Sequence, residues 1–242
     1  MLIQQHTDIR VSLAGAFDLS CDGSSVDVAT PAQRVLAFLA LNERPVHRSH
    51  VANVLWLDSN EERAAGSLRS ALWRIRQYGG DIVESSPRGL RLAQSVRVDV
   101  RETIAWARRV CDATRDVDDQ DVREAFTGGD VLPDWYEDWV LIERERIRQL
   151  RLHGLEVLSQ RLVGLGRYTE AMEVSLAALR SEPLRESAHR AVISVHLAEG
   201  NSSEAIRQYR SYRDLLQSQL GLEPSDLMKR LVNLLDRPVT AA

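Results

Sequence analysis

Three residue pairs in the C-terminal half recur at one spacing. Gly166 and Gly200, Glu170 and Glu204, and Ala171 and Ala205 are each 34 residues apart. That is the period of a helix–turn–helix repeat of the tetratricopeptide kind. The residue types fit the physics. Glycine takes the sharp turn between helices at low steric cost, and a small alanine at the crossing lets two antiparallel helices approach closely. Pro183 stands where the first unit ends. The second unit has no proline at that offset and Pro224 comes later, so its second helix is expected to run long. Two or three such units make a small solenoid, each burying its apolar face against the next. From about Val100 onward only helices are expected, over 101–111, 120–126, 136–165, 169–181, 185–199, 202–220 and 225–235.

The first hundred residues carry a different pattern. IRVSL (9–13) alternates apolar and polar residues, and FDLSC and VDV follow it, with turn signals at Gly15 and Asp22-Gly23. Thr30-Pro31 looks like an N-cap followed by proline at the first helical position. The helix it opens runs to about Leu41, with Val35, Leu36, Leu39 and Ala40 as its apolar stripe. A second helix is expected from about His47 or Ser49 to Leu55 or Trp56, and a third from Glu61 to Gln77, ended by Gly79-Gly80. Residues 81–84 and 90–92 then read as strands of a hairpin around Ser85-Ser86-Pro87-Arg88-Gly89. Strands, three helices and a hairpin are the layout of a winged helix-turn-helix, in which the third helix enters the major groove of DNA. The fold class expected is mainly α: a winged helix with a small sheet and hairpin wing over 1–98, then an all-α, tetratricopeptide-like domain over 99–242.

The formal charge of -4 conceals an uneven distribution. Residues 1–100 are neutral, 101–140 carry -6, and 141–242 carry +2. Within the neutral segment, 63–77 holds Arg63, Arg69, Arg74 and Arg76 and no acid. Lys229 is the single lysine. It follows SDLM rather than a Gly-rich turn, which excludes a P-loop, and no V-A-I-K strand exists for a kinase. No GxSxG element occurs. No catalytic residue or cofactor is therefore assigned. His47 and His50 form an HxxH pair without further ligands nearby, so no metal is assigned either. The run CDATRDVDDQD (111–121) reads as a solvated loop or helix start. Cys21 and Cys111 lie far apart and read as reduced thiols of a cytoplasmic protein. No stretch is long and apolar enough for a membrane span, and the N-terminus lacks the pattern of a signal peptide.

On a helical wheel, Ala65, Leu68, Ala71, Leu72 and Ile75 cluster on one face of the third helix. The opposite face carries Arg63, Gly66, Ser70, Trp73, Arg74 and Gln77, with Arg69 and Arg76 on a flank. Arginine donates two bonds to a guanine edge or pairs with phosphate. We therefore expect base reading from Arg63, Ser70, Trp73 and Arg74. Phosphate or wing contacts are expected from Arg69, Arg76, Arg88, Arg91, Thr30, Arg48 and Trp56. Trp73 has two open readings, stacking on DNA or packing under the wing.

The residues RPVHRSHVANVLW (44–56), ERAAGSLRSALWRIR (62–76), SPRGLRL (86–92), VDV (98–100), GRYTEA (166–171) and the long run from Pro183 to Ser225 resemble the Streptomyces antibiotic regulatory protein family. These activators join an OmpR-type winged helix to a bacterial transcriptional activator domain of tetratricopeptide-like helices. The resemblance implies binding to repeated promoter sequences, recruitment of RNA polymerase with sigma-factor contact, and a homodimer at least on DNA. It places recognition-helix contacts on Ser70, Trp73, Arg74 and Arg76 and wing contacts on Arg88 and Arg91. Two positions depart from the pattern: Trp73 stands where a small polar or basic residue is usual, and Gln77 where a further basic one is. Larger members add an ATPase domain, which the missing P-loop leads us not to expect, and the start of the sequence leaves no receiver domain expected. The implied role is a nucleoid-associated, cytoplasmic activator controlling a biosynthetic gene cluster. The competing reading is a helical-repeat scaffold whose winged helix binds protein.

Overall fold

A computed structural model describes residues 8–79 and 81–233. The chain divides into two compact units: Met1–Ile104 with Gly128–Arg148, and Ala105–Thr127 with Gln149–Ala242. The boundary read at 98/99 follows sequence motifs. Compactness instead assigns 99–104 and 128–148 to the first unit.

The first unit opens with β1 (Ile9–Ser12), β2 (Asp18–Cys21) and β3 (Ser24–Ser25). A fourth strand, β6 (Val96–Val98), completes a sheet of order β3-β2-β1-β6. β1 pairs antiparallel with β2 and parallel with β6, so residues almost ninety positions apart close the sheet. VDV (26–28), read as a strand, is not one; only Val26 N–H reaches back, to the Leu19 carbonyl at 2.8 Å. Helices α1 (Thr30–Leu41), α2 (Arg48–Leu55) and α3 (Glu61–Gln77) follow. Thr30 is not the N-cap of α1; Ala29 is, and no side chain caps that end. Pro31 needs no N–H partner there, which makes the position tolerable. Eight of the twelve residues of α1 are buried.

The wing is β4 (Val83–Ser86) and β5 (Gly89–Leu92), joined by Pro87-Arg88. Its strands run further toward the tip than the alternation suggested. Val46 joins as a third, one-residue rung: it exchanges both backbone hydrogen bonds with Leu90 at 2.8 Å. Gly89 makes this possible. Its φ is +127°, and a Cβ there would overlap the Val46 carbonyl.

Helix α4 (Asp99–Cys111) begins with an aspartate that acts as a clasp. The Asp99 carboxylate accepts from Leu13 N–H at 2.9 Å, from Ala14 N–H at 2.9 Å and from Val100 N–H at 2.7 Å. Arg101, two residues on, donates to the carbonyls of Leu39, Ala40 and Asn42 at 2.8–2.9 Å, satisfying the last acceptors of α1. Between the helices expected at 120–126 and 136–165, residues 128–135 are non-helical, as those ranges leave them. Gly128, Gly129 and Pro133 disfavour helix there, and the segment docks on the sheet end. Gly15 N–H donates to Asp130 O and Leu132 N–H to Leu13 O, both at 2.8 Å.

The second unit packs the end of α4, α5 (Asp119–Ala125), the later part of α6 (Asp138–Gly164), α7 (Tyr168–Ser181), α8 (Glu186–Ala198), α9 (Ser202–Leu220) and α10 (Asp226–Asn233). The last reading, to Leu235, extends outside the described residues. The repeat behaves as its spacing demands. Gly166 and Gly200 turn with φ of +73° and +79°, and Ala171 and Ala205 are both fully buried. α9, at nineteen residues against fourteen for α7, supplies the extra length expected of the second unit. Gly154 leaves room for the ring of Trp106, whose indole N–H donates to Asp121 O at 2.9 Å.

The acidic run is not simply solvated. Asp121 is 1% exposed, and Arg115 holds it at 3.0 Å while it completes the capping box of α5 with Asp118. His189 is also buried. Pro183 O can only accept, so Nε2–H donates to it at 2.8 Å, and Nδ1 accepts from the Gln208 amide at 3.0 Å. The ring lies 4.2 Å from that of Tyr212. Burial pushes the His189 pKa down from 6.5.

Gly89→Ala is expected to destabilise the first unit by about 2–4 kcal/mol, because backbone strain and a clash coincide. Gly15→Ala, strained but unobstructed, should cost only about 1 kcal/mol; denaturant unfolding of both variants checks the difference. His189 gains protons on unfolding below its ordinary pKa. Stability of the second unit should therefore fall as pH drops below about 6.5, by at most ~1.4 kcal/mol per pH unit. Thermal melts from pH 7.5 to 5 should show this fall, and His189→Phe should flatten it.

Candidate nucleic-acid interface

Helix α3 starts cleanly because Asn60 caps it, its Oδ1 accepting from Arg63 N–H at 2.9 Å. Glu61 and Glu62 occupy the first turn, where the helix dipole favours acids. The buried stripe is Ala64, Leu68, Ala71 and Ile75, which packs α3 against α1 and α2. Ala65 and Leu72, read as inward, are half-buried. The inner face is thus turned toward Ala64 relative to the ideal wheel.

The outward face carries Arg63, Arg69, Ser70, Trp73, Arg74, Arg76 and Gln77, all exposed. Trp73 is 62% exposed, so the packed-under-the-wing reading is set aside. Gly66 is half-buried, and a Cβ there would lie 3.6 Å from the Arg69 guanidinium.

A groove of 530 Å³ runs along this helix. Its walls include Arg63, Gly66, Ser70 and Arg74 from α3, Trp56 at the end of α2, and Pro31 at the start of α1. No acid lines it. Four expected residues, Arg63, Ser70, Arg74 and Trp56, therefore converge on one concave surface. Thr30 is exposed beside Pro31. The sequence reading missed Pro31, Ser59 and Ser67 as wall residues. The only available signal was their position at the start of α1 and before and within α3.

Arg69, Arg76 and Trp73 lie on α3 outside the groove lining. At the wing, Arg88 is exposed at the turn, its N–H held by Ser86 Oγ at 3.2 Å. Arg91 is engaged across the hairpin, 2.7 Å from Glu84. Arg48 donates to Ser85 Oγ at 3.0 Å, tying the start of α2 to the wing. Among the described residues, Arg88 alone of these three makes no side-chain bond that would have to be exchanged for a phosphate.

The profile of the bacterial transcriptional activator domain matches residues 98–235. The chain belongs to the bacterial transcriptional activator domain family. The match begins at Val98 and therefore covers residues of both compact units. Regulatory protein AfsR of Streptomyces coelicolor is 26% identical over 239 residues, which is 92% of this chain. Those residues are 24% of AfsR, so the chain spans about a quarter of that relative's length. Among solved structures, EmbR of Mycobacterium tuberculosis, in complex with a low affinity phosphopeptide, matches with a TM-score of 0.73. It is 22% identical; the match covers 93% of this chain and 64% of EmbR, and shows the fold. The resemblance to the Streptomyces antibiotic regulatory proteins and the mainly α fold both hold. The family is one of transcription regulators. Among the described residues no helix is long and apolar enough to cross a membrane, and no three His, Cys, Asp or Glu side chains converge to hold a metal.

Because Trp73 is exposed and Leu68 is not, their truncations should separate. Trp73→Ala is expected to change unfolding free energy by less than about 0.5 kcal/mol, whereas Leu68→Ala should cost about 2–5 kcal/mol. Equilibrium denaturation followed by circular dichroism reads both.

Proposed function

We propose that this regulator activates transcription by binding promoter DNA through the acid-free groove and outward face of α3. The groove carries the proposal: Arg63, Ser70 and Arg74 converge on it with Trp56, and further arginines stand on the same helix. Arg74 and Arg63 are the base-reading cations, with Ser70 between them and Trp73 against a sugar or a thymine methyl. Arg69 and Arg76 pair with phosphates, as do Thr30 and Trp56 at the rim, and Arg88 does so from the wing. Arg91 and Arg48 take the same role only by exchanging Glu84 and Ser85 for phosphate.

The wider role follows the family: two copies on repeated promoter sites, recruitment of RNA polymerase through its sigma factor, and control of a biosynthetic gene cluster from the cytoplasm, associated with the nucleoid. No catalytic step is assigned. A second reading, a scaffold whose winged helix binds protein, is favoured by one observation, the 62% exposure of Trp73. An exposed indole suits a protein partner as well as DNA.

The two readings separate in a mobility-shift series on duplexes that the full chain selects from a random pool. Arg74→Ala should lose specific affinity by about 1–3 kcal/mol, roughly 5- to 150-fold. Arg88→Ala should weaken all sequences alike and lower the salt slope by about 1. Selection of no sequence at all would favour the scaffold.

A further inference from the structure

Helix α1 forms one wall of the groove through Pro31, and one turn later Arg34 faces the segment 128–148. That segment belongs to the same compact unit, although it lies far beyond the wing in sequence. Its fit is specific. Trp135 stacks on Phe17 with ring centroids 6.3 Å apart, Trp139 meets Trp135 edge-on at 6.2 Å, and Phe38 of α1 meets Trp139 edge-on at 5.3 Å. Aromatic pairs of this geometry add to the plain burial of their surfaces. Glu137 Oε1 lies 3.2 Å from Arg34 Nε. From the other side, the Arg144 guanidinium donates to the carbonyls of Val131 at 2.6 Å, Trp135 at 2.7 Å and Leu132, fixing the loop that carries Trp135 just ahead of the first turn of α6, which carries Trp139.

Two groups in this contact have no hydrogen-bond partner among the described residues. Arg34 Nε is buried and, despite its closeness to Glu137, is not aligned for a hydrogen bond. The Trp139 indole N–H is buried without a partner. Buried donors left unmade each cost on the order of 1–3 kcal/mol.

We propose that residues 128–148 are a strap that sets the position of α1 and, through it, the width of the DNA groove. Trp135, Glu137 and Trp139 are then positioning residues for recognition and touch no DNA themselves. The last step rests on the DNA-binding reading above. The strap also explains why part of the activator-domain match lies in the winged-helix unit: the recognition surface needs it.

The test uses the full chain, a duplex selected from a random pool, and hydrogen exchange of the α1 amides. Glu137→Ala should lose roughly fivefold in affinity for the selected duplex. Its affinity for unrelated duplex should be unchanged, and exchange should quicken at residues 32–34 while the inner amides of α3 stay protected. Trp139→Phe, which keeps the edge contact and removes the unpaired N–H, should bind at least as well as the wild type, and Trp139→Ala should not. Wild-type affinity and wild-type α1 exchange in Glu137→Ala would overturn the proposal. If the wild type selects no duplex, the DNA-binding reading fails, and the last step of this inference with it. Exchange at α1 still decides the strap in that case: quickened exchange supports it, and unchanged exchange overturns it.

Discussion

Helix α1 is the member against which the first unit is assembled. Eight of its twelve residues are buried. It packs on β1, α2, α3 and β5, and its last carbonyls are held by Arg101. Removing a helix so thoroughly enclosed would leave the sheet, the wing and α3 without a common core. Its position is fixed at both ends by residues distant in sequence, Arg101 at one and Glu137 near the other. The groove inherits that position, because Pro31 is part of its wall.

Arginine does most of the long-range work in this chain. Thirty of the thirty-one basic residues are arginine, and three serve as multi-carbonyl clamps. Arg101 collects the end of α1, Arg144 collects the loop at 131–135, and Arg161 donates to Val110 O at 2.9 Å and Asp112 O at 3.1 Å. A guanidinium presents several donors in a fixed plane, which suits such sites, whereas an ammonium is a single compact point. The arginine-rich composition thus supplies the fold's fasteners. The arginines of α3, by contrast, face outward.

Much of the fold was legible. α3 falls at its expected bounds because a capped, strongly amphipathic helix announces both ends, and the 34-residue spacing predicted the turns at Gly166 and Gly200 and the buried alanines. Three things were not legible, each for a physical reason. β6 is three residues long and pairs with a strand some eighty-five positions earlier, so local periodicity carries no trace of it. The docking of 128–135 depends on tertiary hydrogen bonds to Leu13 and Gly15, which no helical or strand pattern encodes. Asp121 reads as one acid in a run of acids; only the approach of Arg115 makes it a buried one. In the candidate site the outward arginines were legible from a helical wheel. The engagement of Arg91 with Glu84 follows from the hairpin register, which sets the two residues directly opposite each other.

The central claim is that the groove between α3 and the start of α1 reads bases in the major groove. Dimethyl sulfate interference on a selected duplex, bound by the full chain, tests it most directly, because the reagent methylates guanine N7 in that groove. The account predicts interference at discrete guanines, and loss of that interference at one of them in Arg74→Ala. Binding that tolerates methylation at every guanine N7 would contradict it.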